Sequence, residues 1–149
     1  PQDSLAASTR AVVVGRPGRA QGDPVNPPVV LSSTYVSRGV QGPGEKLYAR
    51  IGTETWEPFE EAVASLESTD LPGVVMSSGM AAIAAVASLV PAGGRIVVAR
   101  HAYQVTLGLF DDLAARFGTT VVRVDIDDTD GVVAVLEGDD LLWLSLLTL

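Results

Sequence analysis

The sequence contains no cysteine, one lysine (Lys46) and one histidine (His101). Without cysteine there is neither a disulfide framework nor thiolate chemistry, a composition that suits a reducing compartment. His101 has no cysteine or second histidine with which to share a metal, which argues against a ligand role. No apolar run approaches the length of a membrane span, and the start of the sequence lacks a signal-peptide pattern, so a cytoplasmic protein with no membrane partner is expected. Basic runs are missing as well. Ten Lys+Arg against 18 Asp+Glu give a net charge of -8, which excludes gripping nucleic acid through a general positive field.

Familiar site motifs are also absent. There is no Gly-x-Gly-x-x-Gly fingerprint, no Gly-x-x-x-x-Gly-Lys phosphate loop and no Gly-x-Ser-x-Gly elbow for a serine nucleophile. The acidic stretch Asp125-Ile-Asp-Asp-Thr-Asp130 lacks the turn glycine and the bidentate glutamate of a calcium loop, and reads as a solvated loop.

What is present is a folded chain of 149 residues, 47% hydrophobic with mean hydropathy +0.31, long enough for one ordinary core. Residues 1–47 scatter Pro17, Pro24, Pro27, Pro28 and Pro43 among six glycines, a pattern that predicts an extended arm without long regular elements. Its apolar patches, Val12–Val14 and Val29–Leu31, favour packing on a neighbouring subunit. From residue 48 to residue 149 the pattern is regular and predicts an α/β domain. A helix is expected over about 56–68, capped by Thr55 and facing inward through Phe59, Val63 and Leu66.

Gly73-Val-Val-Met-Ser-Ser-Gly-Met80 then reads as strand, tight turn and helix start. Arg95–Ala99 is the next strand. Val105, Leu109, Leu113 and Phe117 mark a helix of about 103–117 that Gly118 ends. Thr119–Val124 and Asp140–Ser145 complete the strands, with 131–138 undefined. Strands alternating with helices imply a parallel sheet covered on both faces, and ligands collect beyond the carboxyl ends of such strands. Those positions are Ser77–Met80, Arg100–Tyr103, Asp125–Asp128 and Ser145. The Ser77-Ser78-Gly79 turn leaves helix N–H groups free, which makes an anion seat. Tyr103 is either an aromatic surface beside that seat or an ordinary helix-start tyrosine.

Taken in order, Val25-Asn-Pro-Pro-Val29, Ser32-Ser-Thr-Tyr35, Tyr48-Ala-Arg50, Leu66-Glu67, Ser77-Ser-Gly-Met-Ala-Ala-Ile83, Gly93-Gly-Arg-Ile-Val-Val98, Tyr103 and Arg116-Phe-Gly118 before Val121–Asp125 carry a resemblance. The sequence resembles the N-terminal part of the cysteine and methionine metabolism family of pyridoxal-phosphate enzymes, which includes cystathionine γ-synthase, cystathionine γ- and β-lyases, methionine γ-lyase and homoserine sulfhydrylases.

The resemblance implies part of the large domain of an aspartate-aminotransferase-like (type I) fold, with pyridoxal 5'-phosphate as cofactor. By resemblance, Ser78, Gly79 and Met80 would hold the cofactor phosphate. Tyr103 would stack on the pyridine ring and act in catalysis by helping to deprotonate the substrate amine. Tyr48 and Arg50 would reach the phosphate of an adjacent subunit, so the expected assembly is a homo-oligomer with shared sites, a tetramer built as a dimer of dimers.

The implied activity is elimination or replacement at the γ or β carbon of sulfur amino acids or activated homoserine. Two other readings stay open: a non-catalytic domain that binds a phosphate ligand, and an unrelated structural α/β domain. The sequence departs from the family where Thr53-Glu54-Thr55 replaces the usual Asn-Pro-Thr, and where Ser145 follows Leu144. The family's Schiff-base lysine and its aspartate partner match nothing here, and Lys46 does not fit the lysine's motif. The chain is therefore expected to be a fragment, a truncated product, or a sequence with internal segments closed up; the join at Leu144-Ser145-Leu146 favours the last.

Overall fold

Three β-branched residues in succession, Ile96-Val97-Val98, form the centre of the sheet. In the computed structural model, which describes residues 5–138 and 140–144, β1 (Arg95–Ala99) lies between β2 (Thr120–Val124) and β3 (Leu141–Trp143) and is parallel to both. Val97 is in register with Val122 on one side and Leu142 on the other. A central parallel strand has no solvated face, so Ile96, Val97 and Val98 are all 0% exposed.

Alternate residues of β1 serve opposite faces. Ile96 and Val98 pack with Ala87, Leu107 and Phe110 from α3 (Gly79–Ala87) and α4 (Gln104–Phe117). Val97 packs with Val132 of α5 (Thr129–Val135) and with Val124. Phe110 meets Trp143 edge to face, with ring centroids 6.1 Å apart. The expected parallel α/β sheet with helices on both faces is what forms.

Within this architecture several local expectations are corrected. Gly73–Met76 is irregular chain, not a strand. A β-branched run needs a partner to complete its ladder, and among the described residues no strand pairs with it; the Val75 amide donates instead to Glu60 Oε1 at 2.8 Å. On α4 the buried residues are Thr106, Leu107 and Phe110, while Val105 and Phe117 are each half exposed. A strict row at every fourth position turns about 40° around a helix with each step, so the predicted stripe winds off the core. Residues 129–135 form α5, where no element was defined: Asp128 caps it, accepting the Gly131 amide at 2.9 Å. Ser145 lies outside the described residues.

The chain divides into two compact units, Pro1–Val75 and Met76–Leu149. The sheet belongs to the second. In the first, α1 (Ala7–Val13) packs on α2 (Glu57–Leu66). The helix α1 is two turns long and forms where the residues between Pro1 and Gly15 include neither proline nor glycine. Gly15 ends the approach with φ +74°, against the Pro58 carbonyl, where any side chain would collide. Thr55 does not cap α2: Val30 N–H donates to its Oγ1 at 2.9 Å, and Trp56 takes the cap position without a side-chain bond. Phe59, predicted to face inward, is 61% exposed; the buried residue of α2 is Ala64.

Candidate cofactor site

In the second unit the predicted anion seat is a helix start with free donors. Ser78 is the N-cap of α3, in extended conformation, and its Oγ accepts the Ala81 amide at 3.1 Å. The first intrahelical bond runs from Ala82 N–H to the Ser78 carbonyl. The amides of Gly79 and Met80 come before it, and among the described residues no acceptor bonds them. Ser77, Ser78 and Gly79 are exposed. A Cβ added at Gly79 would meet no protein atom within 4 Å, so internal packing does not require glycine there. The space above the turn is open to a ligand, and the partial positive charge of the helix start favours an anion in it.

Tyr103 stands at the cap position of α4, 39% exposed, and among the described residues no hydrogen bond holds its hydroxyl. Of the other two strand-end groups, Arg100 is committed elsewhere. Arg100 Nε donates to Asp125 Oδ1 at 3.0 Å and its Nη2 to the Arg123 carbonyl at 3.4 Å. His101 is exposed. Among the described residues no cluster of His, Cys, Asp or Glu is placed to hold a metal ion, and no helix is long and apolar enough to cross a membrane.

Tyr48 and Arg50 belong to the first unit. Tyr48 bridges antiparallel to Thr34, fixed on either side by Tyr35 N–H to the Leu47 carbonyl (3.1 Å) and Ala49 N–H to the Ser33 carbonyl (2.9 Å). The Arg50 guanidinium lies over the Tyr48 ring, 4.8 Å from its centroid. Both border a cleft of about 570 Å³ walled by Ile51, Trp56, Val74 and Val75.

A cluster that sequence reasoning missed lies at the base of this loop. Lys46 bonds the Glu57 carboxylate and stands 3.7 Å from Glu54, while the Tyr35 hydroxyl lies 3.1 Å from Thr53 Oγ1 and 3.2 Å from Glu54 Oε2. Burial alone would lower the Lys46 pKa; the bond to Glu57 and the charges of Glu57 and Glu54 outweigh it and raise it above 10.5. Glu54 is held below 4.5, first by a backbone hydrogen bond; burial opposes the shift, and the Tyr35 hydroxyl and Lys46 add to the lowering. An ammonium held in this way is no nucleophile. The available signal was a lone lysine with glutamates eight and eleven residues on.

The model of the family described as Cys/Met metabolism PLP-dependent enzyme matches residues 8–144. The chain belongs to that family. A cystathionine β-lyase of Lactococcus lactis is 35% identical over 113 residues, 76% of this chain and 30% of its own length. A cystathionine γ-synthase of Mycobacterium tuberculosis is 34% identical over 141 residues, 92% of this chain and 36% of its own. The crystal structure of a cystathionine γ-lyase from Micromonospora echinospora superposes with TM-score 0.81 at 38% identity, over 95% of this chain and 37% of that one. The chain thus spans about a third of the length of the relatives it matches. Membership in the Cys/Met metabolism family, whose members are pyridoxal-phosphate enzymes, sets aside the reading as an unrelated structural domain.

Proposed function

We propose that this chain supplies the phosphate cradle and the ring-stacking residue of a pyridoxal-phosphate enzyme that eliminates or replaces a group at the γ or β carbon of a sulfur amino acid or activated homoserine. The observation that carries the reading is the free amide pair of Gly79 and Met80 beyond the Ser78 cap, open to solvent at the start of α3. Those donors suit the phosphate end of the cofactor. When bound, pyridoxal phosphate supplies an electron sink for charge at the substrate's α-carbon.

The protein's own groups bind, orient and move protons. Ser78, Gly79 and Met80 hold the phosphate. Tyr103 offers its ring as a stacking surface and its unengaged hydroxyl as a proton carrier for the substrate amine. Tyr48 and Arg50 reach the phosphate in a neighbouring subunit, where the planar guanidinium pairs with two oxygens at once. Residues 1–47 pack across that subunit boundary, and residues 48–149 form the cofactor-binding domain. The assembly is a homotetramer, a dimer of dimers, acting on a small-molecule substrate in the cytoplasm; the cysteine-free sequence suits that compartment.

Equilibrium titration with pyridoxal phosphate, followed by its absorbance, tests the reading. Tyr103→Ala and Arg50→Ala should each weaken binding by about tenfold or more, the size of one lost stacking or charged contact. Unchanged affinity in both variants would overturn the assignment.

A further inference from the structure

Tyr48 and Arg50 sit on a loop whose neck is stitched shut by side chains. Lys46 lies before the loop and Glu54 and Glu57 after it, and the Lys46 ammonium grips both carboxylates with 21% of its side chain exposed. A second tie comes from the preceding segment. The Tyr35 hydroxyl reaches Thr53, which is 1% exposed, and Glu54. Donating to the carboxylate leaves the Tyr35 oxygen free to accept from the hydroxyl of buried Thr53, so both contacts can be made at once. The backbone adds two rungs, Tyr35 to Leu47 and Ala49 to Ser33, on either side of Tyr48. Beyond the turn, the Glu57 carboxylate occupies the place a side chain at Gly52 would need.

These ties surround Tyr48 and Arg50 without using them. Tyr48 is 36% exposed and Arg50 is exposed, so both are presented by the loop rather than absorbed into it. An exposed loop carrying an arginine would ordinarily lose backbone and rotamer freedom on meeting an anion, and that ordering cost weakens binding. A neck closed by an ion pair and a hydroxyl chain removes part of the cost beforehand.

We propose that Lys46, Glu54 and Tyr35 are positioning residues that hold the Tyr48–Arg50 loop in shape for its contact with the cofactor phosphate, an inference that rests on the role of Tyr48 and Arg50 given above. They touch neither cofactor nor substrate. Their effect passes through the loop, and it concerns the phosphate alone.

The test compares pyridoxal phosphate with pyridoxal, which lacks the phosphate, by equilibrium titration of the full chain and its variants Lys46→Met, Lys46→Arg, Tyr35→Phe and Arg50→Ala. Lys46→Met and Tyr35→Phe should bind pyridoxal phosphate roughly five- to tenfold more weakly while pyridoxal binding stays unchanged. Lys46→Arg, which keeps the charge, should restore most of the affinity. Tyr35→Phe removes only a hydroxyl, so it stays informative if Lys46→Met fails to fold. If Arg50→Ala weakens binding but Lys46→Met and Tyr35→Phe do not, the positioning role is overturned and the phosphate role of Arg50 stands. Equal losses for both ligands would also overturn it, since general damage does not single out the phosphate. If Arg50→Ala itself leaves binding unchanged, the reading of the site fails and the positioning role falls with it.

Discussion

The Arg50 guanidinium carbon lies over the Tyr48 ring, 4.8 Å from its centroid, so the two side chains of the Tyr-x-Arg pair are held by each other before any ligand arrives. A cation over an aromatic face at an exposed site contributes roughly 0.5–1 kcal/mol. Tyr48→Leu should therefore weaken pyridoxal-phosphate binding by loosening Arg50 as well as by losing the phenol. Tyr48→Phe, which keeps the ring, should lose only the hydroxyl's share. Titration of both variants checks the order; a Phe variant as weak as the Leu variant would assign no role to the stacking.

The Ser78 cap can be separated from the donors it leaves free. Ser78→Ala should lower the stability of the unit Met76–Leu149 by about 1 kcal/mol in urea unfolding, whereas Ser78→Gly should cost only a few tenths. Both variants keep the Gly79 and Met80 amides, so each should retain measurable pyridoxal-phosphate binding. Loss of all binding with Ser78→Gly would place the hydroxyl itself on the phosphate.

Two glycines with positive φ separate conformational strain from collision. Gly118, φ +70°, ends α4 with nothing within 4 Å of an added Cβ. Gly118→Ala should cost about 1 kcal/mol, the left-handed penalty alone. Gly15, φ +74°, faces the Pro58 carbonyl, so Gly15→Ala should cost clearly more and free α1 from α2. Chemical denaturation of the two variants gives the comparison.

The neck of the Tyr48–Arg50 loop makes stability depend on pH at both ends of the scale. Lys46 is raised in the folded state, so its contribution is complete below its unfolded pKa near 10.5 and is lost as pH rises through the higher folded value. Glu54 is lowered, so its contribution is present above its unfolded pKa near 4.5 and is lost as pH falls through the lower folded value. The difference in unfolding midpoint between wild type and Lys46→Met should be flat between these limits and shrink at both ends. A difference that changed most near neutrality would point to another group.

The sequence is most informative where local chemistry decides structure. Ile96-Val97-Val98 can hardly be anything but a central strand, and Gly118 after a helical repeat ends α4 where expected. The helix start at Ser77-Ser78-Gly79 was legible for the same reason, since a turn into a helix is settled within a few residues. Gly73–Met76 was not, because a strand is defined by a partner that no local pattern supplies. Thr55 failed as a cap because Val30, 25 residues earlier, claims its hydroxyl. The Lys46 cluster was hidden by the same distance: Tyr35 and Glu54 meet across 19 positions. Where Asn-Pro-Thr is usual, this chain has Thr53-Glu54-Thr55, and a proline's fixed φ gives way to a carboxylate that Lys46 and Tyr35 hold in place. The departure from the family's pattern is what builds the neck of the loop.

A shared site has its own signature. If Tyr48 and Arg50 serve the phosphate held by Ser78–Met80 of another copy, mixing an Arg50→Ala chain with a Tyr103→Ala chain should produce some hybrid sites carrying neither defect. Pyridoxal-phosphate binding should then recover in the mixture above the level of either variant alone. No recovery in a mixture shown to exchange subunits would place all these groups on one chain.

The most direct measurement is the affinity of the unaltered chain for pyridoxal phosphate against pyridoxal. A cradle built from helix-start amides and an arginine predicts that the phosphate contributes about two charged hydrogen bonds, so pyridoxal phosphate should bind roughly a hundredfold more tightly. Equal affinity for the two would contradict the account at its centre, because the seat at Ser78–Met80 would then hold no phosphate.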